Sequence, residues 1–473
     1  MGQEISFFEF SDNDFICFQQ KLQQETARLK QRVKSKGFSK RVPVVGFEIE
    51  AWLVNDNMQP MPINERYIAN MDNPLVSAEL ARFNVEFNSE PLVLTADVFS
   101  QMQTQLQTTW NTGFKEAEQL KSQLLMIGSL PTLKQADLTL DNISNLNRYY
   151  ALNQQILTTR NKPIALDIKG LERLNFTQNN VMLESAATSF QLHTQLPLTI
   201  AHHFYNAALL SSAAMAAVCA NTPFLLGKDL WQESRIPLFE QAIDSKEAQA
   251  RFKRVSFGSG YVTHSITECF IENLQYFPVL LPDIKESPTD AFEHLRLHNG
   301  TIWRWNRPLI GFDKDGTPHI RVEHRVPAAG PTVIDSIANA AFYYGLTQNL
   351  CDEIIANGTL IPFSYAKKNF YSAARYGLDA PVEWLNYKKY SLHNLLNQEL
   401  LQRASQGLAT LGVDRDESDF YLEIIRQRIK SRQTGSVWQR QFVQIQGADF
   451  KTMTQHYLAN QQMGKPVGTW SLY

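Results

Sequence analysis

The chain has 473 residues, of which 44% are hydrophobic and 19% charged, so it is long enough to bury a large core and is globular in composition. Its formal net charge of −2 excludes a basic footprint for nucleic acid, and its longest apolar run, 207–220, is too short to cross a membrane. The four cysteines lie far apart without a CxxC pair, which excludes a zinc knuckle or a disulfide framework and predicts a reducing, cytoplasmic compartment.

The predicted elements follow from the spacing of apolar residues. Helical spacing predicts helices over 14–36, 96–125, 148–159, 198–219 and 332–356. Alternation predicts strands over 42–54, 82–88, 163–174, 181–196, 301–306 and 318–326, the third and fourth paired around a polar turn at 177–180. Residues 245–290 are rich in loop-forming residues, and the chain after Tyr365 is mostly helical and polar.

This order of elements predicts an α+β fold, with a single antiparallel sheet that carries helices on one face. We predict an N-terminal helical segment over 1–40, a central domain over 41–380, and a helical C-terminal part over 381–473 that packs on the same domain.

Two glutamates interrupt the apolar sequence of the predicted strand 42–54. Residues two apart on a strand share a face, so Glu48 and Glu50 point into the same space, with Cα atoms roughly 7 Å apart. If that space is interior, the carboxylates need cations, and carboxylate ligands favour Mg²⁺ or Mn²⁺ over zinc. If the strand is an edge with a solvated face, the pair needs no ligand. The first interpretation indicates phosphate chemistry.

A second acidic cluster lies in and just beyond the next predicted strand. Alternation places Glu86 and Glu90 on one face, together with Asn84 and Asn88. By itself the pattern is that of an ordinary half-solvated strand. Beside the first pair of glutamates, it would complete an oxygen-rich metal site.

A third polar stripe lies on the strand that leads into the predicted buried helix 198–219. Gln191, His193 and Gln195 alternate there with apolar residues, and polar groups in such a place need partners. His193 is a candidate metal ligand or a phosphate-binding group through a ring N–H. A hydrogen-bonded structural histidine is the alternative.

A fourth stripe combines two cations with a carboxylate. Arg321, Glu323 and Arg325 alternate and therefore share a face. The stripe is a salt-bridge ladder or, if its face meets the acidic strands, a metal ligand beside a planar guanidinium suited to phosphate. Arg307, which follows two tryptophans, and Arg235 offer further guanidinium groups.

The order of these segments resembles the glutamate-cysteine ligase type 2 family of carboxylate-amine ligases. The resemblance covers roughly residues 42–380, and an ordered set of motifs is far more specific than any one of them. The motifs are Gly46-Phe47-Glu48-Ile49-Glu50, Glu90-Pro91, the Gln191/His193 strand, Ala220-Asn221-Thr222-Pro223, Glu233-Ser234-Arg235, 301–307, Glu323-His324-Arg325 and Ala373-Ala374-Arg375-Tyr376-Gly377-Leu378.

The resemblance implies a fold similar to that of glutamine synthetase. In that fold a curved antiparallel sheet forms a funnel for ATP and divalent metal ions, and helices pack on its outer face. The implied chemistry is phosphorylation of a carboxylate by ATP, followed by attack of an amine on the acyl phosphate. No nucleophile from the protein is required.

By resemblance, Glu48 and Glu50 would bind different metal ions. Glu86 or Glu90 would join Glu50, and Glu323 would join Glu48. The full candidate metal set is Glu48, Glu50, Glu86, Glu90, His193 and Glu323. The candidate catalytic residues are Arg325, Arg235 and Arg307, and the candidate nucleotide-binding residues are Gln191, His193 and Arg325.

One position departs from the family pattern. Many relatives carry histidine at the first polar position of the third stripe, where this chain has Gln191. Because an amide oxygen can also bind Mg²⁺, the choice between Gln191 and His193 as metal ligand stays open.

The leading hypothesis is an ATP-dependent ligase that joins glutamate to cysteine, the first step of glutathione synthesis, with Mg²⁺ or Mn²⁺ as cofactor. Its expected partners are small molecules, without nucleic acid or membrane, and oligomerisation is left open. The alternatives are the same chemistry with another acid or amine, phosphoryl transfer to a guanidinium, and a nucleotide-binding regulator without turnover.

Overall fold

The structure is a computed structural model that describes residues 4–243, 252–447 and 449–472. Its helices are α1 (Asp12–Lys34), α2 (Asn64–Met71), α3 (Val98–Gln119), α4 (Asn147–Arg160), α5 (Leu198–Val218), α6 (Arg235–Ala242), α7 (Thr267–Tyr276), α8 (Glu293–Gly300), α9 (Val333–Asn357), α10 (Phe363–Tyr376), α11 (Leu392–Leu395), α12 (Leu401–Thr410), α13 (Arg415–Ser431), α14 (Gly435–Gln446) and α15 (Phe450–Gln462). Its strands are β1 (Val44–Val54), β2 (Val76–Ala78), β3 (Asn84–Asn88), β4 (Leu92–Val93), β5 (Gln123–Leu125), β6 (Ile164–Lys169), β7 (Arg173–Gln178), β8 (Phe190–Leu196), β9 (Phe224–Leu225), β10 (Lys228–Asp229), β11 (Asn306–Phe312), β12 (Pro318–His324), β13 (Pro381–Glu383) and β14 (Lys389–Ser391).

One antiparallel sheet, curled into a half-barrel, organises the molecule. Its strand order is β11-β12-β8-β1-β3-β2, and β4 and β5 pair with the two ends of the long strand β1. The register pairs polar residues with one another: Glu48 with Gln191, Glu50 with Glu86, and His193 with Glu323. Since residues directly opposite in an antiparallel pair have side chains on the same face, one face of the sheet is polar at its centre.

Helices α5 and α9 cover the other face of the sheet. Both are buried along most of their length and rich in alanine, which allows close packing on the strands. The ring of Tyr343 on α9 stacks on the ring of His324, with 4.1 Å between the ring centroids. The hydroxyl of Tyr344 donates a hydrogen bond to the carbonyl oxygen of His193 at 3.2 Å. Asn306 donates to Ser212 on α5 at 2.9 Å. These contacts fix the backbone behind the polar face.

The helices after α12 fold back onto this core. Arg428 on α13 forms a buried ion pair with Asp335 on α9, at 2.7 Å. Asp335 also accepts a hydrogen bond from the backbone N–H of Val467 at 3.0 Å. Asn221, after α5, donates to the hydroxyl of Tyr457 on α15 at 2.8 Å. The residues after α12 are therefore bound to α9 and to the segment after α5 by buried polar contacts.

The predicted fold class is confirmed, with a curved antiparallel sheet and helices on its outer face. The predicted helices 14–36, 148–159, 198–219 and 332–356 correspond to α1, α4, α5 and α9. No helix among the described residues has both the length and the hydropathy to cross a membrane.

Four element predictions need correction, two of them in the first half of the chain. The helix predicted over 96–125 ends at Gln119, because Lys121 takes a positive φ of 56° and the chain turns into β5. The predicted pair 163–174 and 181–196 is instead the hairpin β6–β7, which turns at 170–172. Residues 181–186 form a 3₁₀ helix, which Asn180 caps by accepting a hydrogen bond from the backbone N–H of Met182.

The other two corrections concern the second half. The strand predicted over 301–306 begins only at Asn306, because the backbone N–H groups of Thr301 and Ile302 donate to the last turn of α8. The segment 245–290 contains the helix α7, and its residues 245–251 lie outside the described residues.

Candidate active site

A cavity lies over the polar face of the sheet, with about 1290 Å³ of empty space including its open mouth. The strands form its floor, and its walls come from α4, the 3₁₀ helix 181–186 and the segment 281–303. Six glutamates line it: Glu48, Glu50, Glu79, Glu86, Glu184 and Glu323. Five arginines line it as well: Arg148, Arg296, Arg307, Arg321 and Arg325.

The first acidic group consists of Glu48, His193 and Glu323, from three neighbouring strands. Ligand atoms of the three side chains lie within 4.8 Å of one another, and all three residues are buried. His193 Nε2 is 3.2 Å from Glu48 Oε1. Arg307 and Arg325 each donate a hydrogen bond to Glu323, at 3.0 and 2.8 Å. We call Glu48, His193 and Glu323 the first acid group.

The second acid group consists of Glu50, Glu79 and Glu86, whose ligand atoms also lie within 4.8 Å of one another. Ser189 orients Glu50 by donating its backbone N–H and its hydroxyl, at 2.8 and 2.7 Å. The amide of Gln191 donates to the same carboxylate at 3.1 Å. Because each carboxylate comes from a different segment, the group forms only in the folded chain.

The second acid group is short of positive charge. Burial is the largest cause of the raised pKa of Glu79 and of Glu86, and repulsion from neighbouring carboxylates adds to it. The pKa of Glu86 rises to about 7. Burial also raises the pKa of Glu50, although Ser189 and Arg325 oppose the shift. Carboxyls in this state hold protons until a cation compensates their charge.

In the first acid group, unlike the second, arginine side chains compensate the negative charge. Burial alone would raise the pKa of Glu323, but Arg307 and Arg325 outweigh it and lower the pKa. The Arg325 side chain is only 12% exposed and lies over the ring of Phe239, at 5.9 Å. It is therefore a fixed planar donor at the edge of the cavity.

Arg235 supports Arg325 from behind and does not line the main cavity. Its guanidinium donates to the carbonyl oxygens of Arg325 and Val326, at 2.7 and 3.1 Å, and lies 3.5 Å from Glu233. Glu233 in turn accepts hydrogen bonds from the Asn221 backbone and the Thr222 hydroxyl. Arg235 therefore holds the backbone of Arg325 in place, and its predicted catalytic role stays a prediction.

The motif 373–378 also supports this loop. It ends helix α10, and the carbonyl oxygens of Ala374 and Arg375 accept hydrogen bonds from Glu233 and Gln232, at 2.9 and 3.3 Å. Residues 232–235, which hold Arg325, are therefore fixed by a segment far away in the sequence.

The structure brings most of the predicted site residues together, and the exceptions are Arg235 and Glu90, which do not line the main cavity. Glu90 lies beyond the end of β3, is exposed, and is not among the residues that line the cavity. Glu79, which directly follows the short strand β2, stands beside Glu86 in its place. His193 belongs to the first acid group, whereas Gln191 contacts Glu50 of the second.

Sequence reasoning missed Glu79 and Glu184. Glu79 follows a strand of three residues, too short for alternation to identify. Glu184 lies on a 3₁₀ helix that was predicted as a strand. The small excess of acidic over basic residues in the whole chain does not identify either position as a site residue.

The curled antiparallel half-barrel with helices is the fold of glutamine synthetase-like ligases, and in this chain its polar face carries the two acid groups. The family model for glutamate-cysteine ligase family 2 matches residues 44–463, which is most of the chain. The protein belongs to this family, and membership supports the formation of a carbon–nitrogen bond.

Two solved structures have a similar fold. Glutamate-cysteine ligase from Francisella tularensis, in complex with AMP, is 12% identical with a TM-score of 0.59, and the match covers 92% of this chain and 91% of that chain. A bifunctional glutathione synthetase from Pasteurella multocida is 13% identical with a TM-score of 0.51, covering 93% and 55%. No curated protein sequence matches the chain.

Proposed function

We propose that the protein is an ATP-dependent ligase that joins the γ-carboxylate of glutamate to the amino group of cysteine through an acyl phosphate. The observation that carries this proposal is the pair of acid groups on one sheet face, in one cavity, beside Arg325 and Arg307. A binding protein without turnover has no need to hold so many buried charges, which are costly to retain.

The residues of the two acid groups fit divalent cations. Glu48, His193 and Glu323 would hold one cation, and Glu50, Glu79 and Glu86 another. The donors are mostly carboxylate oxygens, which favour Mg²⁺ or Mn²⁺, and the raised pKa values of the second acid group indicate missing positive charge. A bound cation would neutralise charge on the phosphates of ATP.

The arginines would do the remaining electrostatic work. Phosphoryl transfer depends on positioning and on positive charge around the transferring group. Arg325 would contact that group, and Arg307 would keep Glu323 ionised and in place. Leu152, Leu297 and Leu309 line the same cavity and would keep water away from the acyl phosphate.

The choice of substrates rests on family and resemblance. The family name and the Francisella tularensis ligase support glutamate and cysteine, and the AMP in that structure supports a nucleotide site. The four cysteines are free, which supports a reducing, cytoplasmic compartment.

The test is ADP release by the purified protein with Mg²⁺ and ATP. Glutamate alone, cysteine alone, both together, and glutamate with other amines are compared. We expect ADP only with both amino acids, and a fall of about 100-fold or more in the Glu50→Gln variant. Glu118→Gln, an exposed position on α3, is the matched control and keeps full activity.

Each other outcome has a definite meaning. Turnover with glutamate and another amine would keep the mechanism and replace cysteine. If ATP stabilises the protein against heat but no combination releases ADP, the ligase proposal is wrong and the protein is a nucleotide-binding regulator.

A further inference from the structure

A narrow cleft, with about 300 Å³ of empty space including its open mouth, adjoins the main cavity and forms a second, smaller cavity. Glu50, Glu184 and Arg325 line both cavities, so these three residues stand where the two spaces meet. Phe239 and Trp305 form part of the wall that belongs to the small cavity alone. The small cavity therefore opens into the main cavity at Glu50, Glu184 and Arg325.

Glu184 is the acidic residue at this junction that the metal groups leave unused. It belongs to neither acid group, and its carboxylate forms no hydrogen bond or ion pair with the described part of the chain. Glu50 accepts three hydrogen bonds, and Glu323 accepts two from arginines. A half-buried carboxylate without such partners is free to bind a hydrogen-bond donor that enters the cavity.

The chemistry of the proposed reaction supplies such a donor. An amino acid carries its amine as an ammonium ion at neutral pH, and the nitrogen must lose a proton before it can attack. It must also reach the acyl carbon beside the phosphoryl group that Arg325 would contact. Glu184 lines both cavities, as Arg325 does.

We propose that Glu184 binds the ammonium group of the amine substrate and accepts its proton; this inference rests on the proposed ligase function. One proton passes from the ammonium to the Glu184 carboxylate, and the freed nitrogen lone pair attacks the acyl carbon. A C–N bond forms, and the C–O bond to phosphate breaks with its electron pair on phosphate. A second proton passes from nitrogen to the departing phosphate, so the amide, hydrogen phosphate and protonated Glu184 are the products of this step.

The position of Glu184 suits proton acceptance. Its side chain is half-buried and lies where the two cavities meet, so a proton acceptor is available on the wall of the cavity.

The test compares two amines in the full-length Glu184→Gln variant. Hydroxylamine is unprotonated at neutral pH and needs no base, whereas the amino acid arrives as ammonium. We expect the kcat with the amino acid to fall by about 100-fold or more, and hydroxamate formation with hydroxylamine to stay within about threefold of wild type. Glutamine keeps the size of the side chain, and a thermal melt checks that the variant is folded.

Two controls separate the possible failures. Glu50→Gln should lose both reactions, and Glu118→Gln should lose neither. Equal loss of both reactions in Glu184→Gln, or no loss of either, would overturn the role of Glu184. If the wild-type protein forms neither product, the ligase proposal itself fails, and the two results are thereby distinguished.

Discussion

Glu323 and Glu86 lie on the same sheet face, but their surroundings treat a negative charge in opposite ways. Two arginines bind Glu323 and lower its pKa, whereas burial and other carboxylates raise the pKa of Glu86 to about 7. The two acid groups are therefore electrostatically distinct, and we expect them to bind divalent cations as separate sites.

A single substitution in each group should remove one cation. We expect wild-type protein to bind two Mn²⁺ ions, and both Glu323→Gln and Glu86→Gln to bind one, because each variant loses a ligand from only one group. Titration calorimetry or Mn²⁺ electron paramagnetic resonance measures the stoichiometry. Unchanged stoichiometry in both variants would contradict the two-site assignment.

The raised pKa values also predict how stability depends on pH. The folded, metal-free protein holds protons on the second acid group that the unfolded chain releases near pH 4.3. Its stability should therefore fall as pH rises from about 5 to about 8, and Mg²⁺ should restore it by replacing the protons. The Tm difference between Mg²⁺ and EDTA is expected to grow over this range, and to grow less in Glu86→Gln. A difference independent of pH would refute this.

Arg235 provides a test of positioning. Lysine keeps its charge but cannot donate to two carbonyl oxygens in a fixed fork, so Arg235→Lys should displace Arg325. We expect kcat to fall by about tenfold or more while the KM for ATP and the Mn²⁺ stoichiometry stay nearly constant. Arg173→Lys, at an exposed ion pair on β7, serves as the control. Loss of Mn²⁺ binding in Arg235→Lys would indicate general damage instead.

At the scale of elements, helices α9 and α12 cross with glycine against glycine. A Cβ added at Gly407 would fall well inside contact distance of the carbonyl oxygen of Gly345, and one added at Gly345 would meet that of Ala404. The close crossing therefore depends on both glycines. Since α9 supports the floor of the cavity, this helix crossing helps to hold the site in place from behind the sheet.

Gly407→Ala should consequently destabilise the fold. Overpacking of this kind costs about 1–3 kcal/mol, and here backbone opposes backbone, so we expect at least the upper value. Gly260→Ala, with nothing within 4 Å of the added Cβ, should change the free energy of unfolding by less than about 0.5 kcal/mol. Chemical denaturation of both variants measures the difference. Similar values would show that the helices can separate freely.

Alternation within strands carries most of what the sequence predicts about this site. The period of two places Glu48 with Glu50, and Arg321 with Glu323 and Arg325, and the structure has all five on one cavity. The same rule fails at Glu90, because strand β3 ends two residues earlier, at Asn88. A period applies only while the strand lasts.

Other features depend on long-range contacts that no local pattern contains. Glu79 reaches the site through the pairing of β2 with β3, and Arg235 is committed to two carbonyl oxygens on another segment. Sequence alone shows that such residues are charged. It does not show whether the charged side chain contacts a substrate or the protein's own backbone.

At the scale of the whole molecule, the Asp335–Arg428 pair joins helix α13 to helix α9. Arg428→Leu would leave Asp335 buried without its partner, and we expect a loss of about 3–5 kcal/mol in the free energy of unfolding. Arg426→Leu, at an exposed pair on the same helix, should cost less than about 1 kcal/mol. The melt should remain a single transition in each case. A separate transition for the C-terminal part would contradict one cooperative unit.

The cavity has a floor and walls, and the two differ in how freely their residues can be substituted. The floor consists of hydrogen-bonded strands backed by α5 and α9, so a change there disturbs the whole sheet. The walls contribute single side chains such as Leu152, Leu297 and Trp303, which no ladder constrains. Wall residues can therefore be replaced in related chains, and the shape of the cavity changed, while the floor stays intact.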